Sequence, residues 1–185
     1  MRAEVVDRAR RGDREAFAVL AAGAVDRLYG IARLLLRDAE LAEDATQEAL
    51  VRAWRDLPSL RDVERFDAWL HRLLVRSCSD IGRRHRRWRA EVASLPREPV
   101  EPDGSTGLAD RDQLERGLRR LTEPQRTILV LTFYVGLSST QVADALEIPV
   151  GTAKSRLHYA IESLRAALAA DERASVGADR EGRLA

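Results

Sequence analysis

The chain is poor in cysteine, histidine and aromatic residues and has no long apolar run, and each shortage closes off a class of function. Its single cysteine, Cys78, excludes an intramolecular disulfide framework. Three histidines scattered at positions 71, 85 and 158 offer no metal-ligand spacing, so no metal and no cofactor is expected. No stretch approaches the roughly 18 apolar residues of a membrane span, and the N-terminus lacks a signal-peptide core. The expected setting is therefore a reduced cytoplasm. A Gly-rich phosphate loop is missing, as is any nucleophile with a matched histidine, and paired carboxylates such as Glu43 and Asp44 fall on a solvent-facing helix. An enzyme is not expected. Net charge is also absent: 31 basic residues nearly cancel 30 acidic ones. Only the distribution of charge can then argue for or against a nucleic-acid partner.

What the chain does have is alanine and leucine in helical periods. With 185 residues there is enough material for one domain or two small ones. In the first block, residues 3–89, Asp13 is a candidate N-cap, and apolar residues recur at Phe17, Leu20, Ala21, Ala24, Leu28, Ile31 and Leu35, one helical face. A second helix carries Leu41, Ala45, Ala49, Ala53, Trp54 and Leu57 and ends near Pro58. A third begins around Phe66 and repeats at Trp69, Leu70, Leu73, Leu74, Cys78 and Ile81. Periodicity then fails across residues 90–112, which hold three prolines, two glycines and mostly acidic charge, so this segment reads as a flexible linker.

The second block, residues 113–170, is punctuated by two capping boxes, Thr122 to Gln125 and Ser138 to Gln141. The first opens a helix that stops at Gly136; the second opens a short helix with Val142, Ala143 and Leu146 facing in. After Ile148-Pro149-Val150-Gly151 comes a long helix with a stripe at Ala153, Leu157, Ala160, Ile161, Leu164 and Leu168. Residues 171–185 read as a polar, frayed tail. No strand pattern occurs. The expected fold is all-α, two small helical domains joined by a linker.

Three surfaces carry chemistry. The two short helices and tight turn near residue 148 have the form of a helix-turn-helix, whose second helix enters the major groove. Thr152, Ser155 and Tyr159 point away from the core stripe, toward base edges, while Lys154, Arg156 and His158 flank it, toward phosphate. A solvated helix face is the plainer reading; the agreement of two caps, the short turn and the Pro-x-Gly-Thr start favours DNA. The second surface is Gly82 to Arg89, five arginines in seven residues, prolonging a polar strip of Arg72, Arg76, Ser79, Asp80 and Arg83. Such a run alone is either a solubilising helix end or a polyanion site. With the polar loop from Leu60 to Arg65 and the aromatics Phe66 and Trp69, it has parts suited to unstacked bases, although Trp69 serves equally well as core. The third surface is a helical ridge of Asp44, Gln47, Glu48 and Arg52, either solvated or a protein-docking face.

These motifs occur in one order: GDREAF at 12–17, AEDATQEALVRAW at 42–54, FDAWLHRLL at 66–74, the arginine run, LTEPQRTILVL at 121–131, GLSSTQVADAL at 136–146 and IPVGTAKSRL at 148–157. In that order the chain resembles an RNA polymerase sigma factor of the extracytoplasmic-function (ECF) group, over residues 5 to about 168. The resemblance implies the family's regions 2 and 4 without a third domain. It implies that Asp44, Gln47, Glu48 and Arg52 dock on the β′ clamp helices of core RNA polymerase, and that the second block meets the β flap. Arg61, Phe66, Trp69, Arg72, Arg76, Ser77 and Asp80 would face the −10 promoter element, with Arg83 and Arg84 on its backbone. Gly151, Thr152, Lys154, Ser155, Arg156, His158 and Tyr159 would read the −35 element. The acidic linker would follow the nascent-RNA channel, and a cognate anti-sigma factor would hold the protein inactive. A DNA-binding regulator that never meets polymerase is the main rival, but it leaves the acidic ridge and arginine helix unused.

Overall fold

In the computed structural model the described residues, 2–92 and 117–181, are all-α, and no strand occurs among them. Side chains are described only as far as 88 in the first segment and 170 in the second. The first segment holds α1 (Arg2–Arg10), α2 (Arg14–Ala22), α3 (Val25–Leu36), α4 (Ala39–Asp56) and α5 (Phe66–Val92). The second holds α6 (Glu123–Leu129), a π-turn (Val130–Tyr134), α7 (Ser139–Leu146) and α8 (Val150–Glu181). The expected linker lies outside the described residues, except its first three positions, which continue α5.

Local chemistry sets most boundaries. Asp13 and Asp38 accept from the backbone N–H of Ala16 and Leu41 and so satisfy the open donors of α2 and α4. The Thr122 and Ser138 capping boxes both form; the Ser138 N–H donates to Gln141 Oε1 at 2.9 Å and the Gln141 N–H to Ser138 Oγ at 3.3 Å. Gly136 (φ +79°) ends the π-turn in the left-handed region that glycine tolerates.

Two expectations about helix extent need correction. The single face from Phe17 to Leu35 is two helices, because the chain turns at Gly23 and Ala24. Leu20, Ala24 and Leu28 stay in step across the break and are all buried, which hides it from a periodicity argument. Residues 171–181 continue α8 as helix instead of fraying.

The core of the first unit forms where α4 meets α5. Ala42, Ala45, Ala49 and Ala53 are fully buried, and side chains this small let Leu70, Leu74 and Ile81 of α5 come close. The second unit closes α6 and α7 on Ala153, Ala160 and Ala167 of α8. The units also touch: α3 meets α6 and the π-turn, and α5 meets α7.

Candidate nucleic-acid interface

The helix-turn-helix is built by α7, a three-residue turn and α8. Glu147 ends α7 in the left-handed conformation (φ 55°), and the Ile148 N–H donates to Ala143 O at 3.0 Å to close the turn. Pro149 precedes α8, and its carbonyl accepts from Ala153 N–H. Burial of Ala153 and Ala160 fixes the rotation of α8, leaving Gly151, Lys154, Ser155, Arg156, His158 and Tyr159 exposed and Thr152 half-buried. Tyr159 is 66% exposed. Its ring meets His158 edge-on at 5.8 Å. A Cβ at Gly151 would meet nothing within 4 Å, so packing does not require glycine there.

The strip on α5 is more constrained than the sequence suggests. Arg61 and Arg76 are exposed and Arg72 is half-buried, with its Nε enclosed and unpartnered. Asp80 accepts from Arg83 Nη2 at 2.6 Å and from Arg52 Nη2 at 3.1 Å. Burial alone would raise its pKa, but those two hydrogen bonds outweigh it and hold the carboxyl below the ordinary aspartate value. Two expected contact residues belong elsewhere: Phe66 (3% exposed) and Ser77 (0%) lie in the core. The steps Phe66–Leu70–Leu73/Leu74–Ser77–Ile81 are one helical face, so neither side chain reaches solvent. Trp69 is half-buried and packs against the core, with its ring 6.0 Å from Phe66.

The ridge on α4 also divides. Asp44 and Gln47 are exposed, whereas Arg52 is turned inward, bound to Glu48 Oε1 at 2.9 Å as well as to Asp80. Arg52 therefore links the α4 ridge to the α5 strip instead of standing free. A surface groove between α4 and α5 brings Asp44, Gln47 and Glu48 together with Arg84, His85 and Trp88. Arg84 thus sits with the ridge and not with the −10 strip. Trp88 and Val51 are 54% and 61% exposed there. The sequence places Trp88 in the Gly82 to Arg89 surface but gives Val51 no role; the departure of Val51 from the buried stripe of α4 is the available signal.

Two buried titratable groups lie close to these surfaces. Burial is the main cause that lowers the His71 pKa to about 4, helped by the Arg27 charge, and neither ring nitrogen has a hydrogen-bond partner. Burial pushes the Cys78 thiol up to about 12, which leaves it unreactive.

A helix-turn-helix with a free outward face, paired on one chain with a second helical unit carrying a cationic strip, defines a transcription regulator that reads DNA. Models of the families "Sigma-70 region 2" and "Sigma-70, region 4" match residues 22–89 and 117–166. The chain is 31% identical over 180 residues to the RNA polymerase sigma-H factor of Pseudomonas aeruginosa, covering 89% of this chain and 92% of that protein. It is 36% identical over 146 residues to the ECF RNA polymerase sigma factor SigL of Mycobacterium tuberculosis, covering 76% and 82%. Among solved structures it resembles the sigma factor RpoE bound to the anti-sigma factor NepR from Bartonella quintana, with a TM-score of 0.70, 25% identity and coverage of 84% and 98%. It also resembles CnrH in complex with the cytosolic domain of CnrY, with a TM-score of 0.67, 28% identity and coverage of 91% and 97%.

The chain belongs to the ECF group of RNA polymerase sigma factors. As such it binds core RNA polymerase and directs it to promoters, regions 2 and 4 reading the −10 and −35 elements. Its family consists of DNA-binding regulators. No helix among the described residues is long and apolar enough to cross a membrane.

Proposed function

We propose how this sigma factor divides its surfaces. Gly151, Thr152, Lys154, Ser155, Arg156, His158 and Tyr159 meet the −35 element, the charged members on phosphate and Ser155 and Tyr159 on base edges. Arg61, Trp69, Arg72, Arg76, Asp80 and Arg83 serve the −10 element, with Arg72 and Arg76 on the strand backbone. The groove of Asp44, Gln47, Glu48 and Trp88 docks on the β′ clamp helices, and Arg84 works there rather than on DNA. The exposed Phe133 and Tyr134 of the π-turn offer an apolar contact for the β flap. The protein acts in the cytoplasm without catalysing a reaction itself, and an anti-sigma protein restrains it, as NepR and CnrY are seen bound to its structural neighbours.

One observation carries this division: three chemically distinct surfaces, apolar-acidic, cationic and neutral-flanked-by-basic, lie on one chain, and a complex of polymerase with promoter DNA engages all three at once. Opening the −10 element costs a few kcal/mol of unstacking, repaid by contacts to the freed strand. Run-off transcription with core polymerase on a cognate promoter tests the reading. Asp44→Arg with Gln47→Ala is expected to abolish the transcript without changing far-UV dichroism; an unchanged transcript would remove the groove from the docking surface.

A further inference from the structure

Helix α1 lies outside the segment that the region 2 family model matches, which starts at residue 22, so that match gives it no role. Its packing is nevertheless specific. Arg2, Val6, Ala9 and Arg10 fall on one helical face, and burial of Val6 and Ala9 fixes how α1 is turned. That face meets the loop between α4 and α5 at both of its 3-10 turns, Leu57–Ser59 and Val63–Arg65. At one end Arg10 Nη1 donates to the carbonyl of Leu60, 50 positions away, at 3.2 Å. Its Nη2 is held by Asp7 Oδ1 at 2.7 Å, one turn back on α1, so the guanidinium is aimed before it reaches the loop. At the other end Arg2 Nη2 bonds Asp67 Oδ1 at 2.7 Å in the first turn of α5, joined there by Arg27 Nη2 from α3 at 3.0 Å.

The Leu60 carbonyl belongs to the peptide unit that joins Leu60 to Arg61, and a peptide unit is planar. The Leu60 side chain is buried and its N–H donates to Leu57 O at 3.0 Å. The Arg10 bond then sets the remaining rotation of that plane, and with it the direction in which the exposed Arg61 leaves the loop. Other caps of the loop are internal. Ser59 Oγ donates to Asp56 O at 2.6 Å, and the Asp62 side chain accepts from the Glu64 N–H at 3.0 Å, so they shape each turn without tying it to the helices beneath. We propose that α1 braces this loop and that Arg10 is a positioning residue for promoter opening, acting through Arg61 on the unstacked −10 strand. The proposal rests on the assignment of Arg61 to the −10 element. Binding groups on a loop depend on the scaffold that holds them, and a side chain as long as arginine magnifies any small turn of its backbone.

The test uses the full chain with core RNA polymerase and a cognate promoter carrying 2-aminopurine in the −10 element, whose fluorescence rises as the base unstacks. Arg10→Met keeps a long side chain with good helix preference and removes its donors. It should slow opening about threefold to tenfold, the worth of one lost hydrogen bond, while Arg10→Lys, which can still donate to the Leu60 carbonyl, stays within about twofold of wild type. Arg11→Met is the control: Arg11 pairs with the same Asp7 at 2.9 Å, but its side chain is 70% exposed, and opening should not change. The decisive arm is the double variant. Arg61→Ala should slow opening alone, and adding Arg10→Met to it should cost no more than about 1.5-fold further, because the side chain that the brace aims is already gone. A merely structural loss would slow opening by the same factor with or without Arg61, and that additivity overturns the proposal. Arg10→Met at the wild-type rate, with Arg61→Ala slow, overturns it as well and leaves the −10 assignment standing. Arg61→Ala at the wild-type rate overturns it through its premise, by removing Arg61 from the −10 face.

Discussion

His71 gives the first unit a calculable acid sensitivity. The residue is 4% exposed on α5, both ring nitrogens lack partners, and its pKa falls from 6.5 to about 4. The folded state therefore holds it neutral, while the unfolded chain takes up a proton near pH 6.5. Stability is complete above that value and is lost as pH falls toward 4. With 1.36 kcal/mol per pKa unit, the loss approaches about 3 kcal/mol below pH 4 and is already about 2 kcal/mol at pH 5. That is a large share of a small domain's 5–15 kcal/mol, roughly. Carboxylates also titrate in this range, so the comparison must be with His71→Leu, which keeps them and removes the imidazole. All three tryptophans, Trp54, Trp69 and Trp88, lie in the first unit, so urea unfolding followed by tryptophan fluorescence isolates it. The wild type should lose about 2 kcal/mol more than His71→Leu between pH 8 and pH 5. At pH 8 the variant should match or exceed wild-type stability, since an unpartnered polar group has left the core. Parallel pH curves for the two proteins would show that His71 is hydrated or paired in solution, and would refute the argument.

Two further outcomes check the surfaces and the core. Lys154→Ala with Arg156→Ala should weaken −35 binding on every sequence and reduce its salt slope by about 2, read by anisotropy across a salt series, whereas Ser155→Ala or Tyr159→Ala should change base preference. If both pairs altered affinity alone, the rotation of α8 against DNA would be wrongly assigned. Cys78 should resist thiol reagents in the folded protein at pH 8 and react fully in urea, because its thiol is buried with a pKa of about 12; fast native-state labelling would mean that α5 opens locally.

What the sequence disclosed, and what it withheld, follows from the range of each interaction. The caps at Asp13, Thr122 and Ser138 and the stripes of α4, α5 and α8 involve residues three or four apart, so their pattern is visible in the chain. The Gly23 turn escaped because apolar residues keep their phase on both sides of it. Phe66 and Ser77 were assigned to DNA by position in the family, against the phase of their own helix, and the phase prevailed. The pairings of Arg126 with Leu35 and Arg76 with Glu147 are 91 and 71 positions apart. No local spacing signals them, and an arginine destined for burial looks like any other of the chain's many arginines. The inward turn of Arg52 was hidden for the same reason, since its partner Asp80 lies on the next helix.

The 27-residue α5 is unbroken from Phe66 to Val92. Arg72 near one end and Trp88 near the other are thereby held at a fixed spacing of about 24 Å, with a fixed angle between them. On the surface division proposed above, the same rod meets both the enzyme and the DNA, so it sets a gauge between the two. One residue inserted near Ser79 would lengthen that gauge by only about 1.5 Å but swing its ends apart by about 100°. A surface substitution on the rod leaves that gauge intact, whereas a change in its length resets the angle between its two ends.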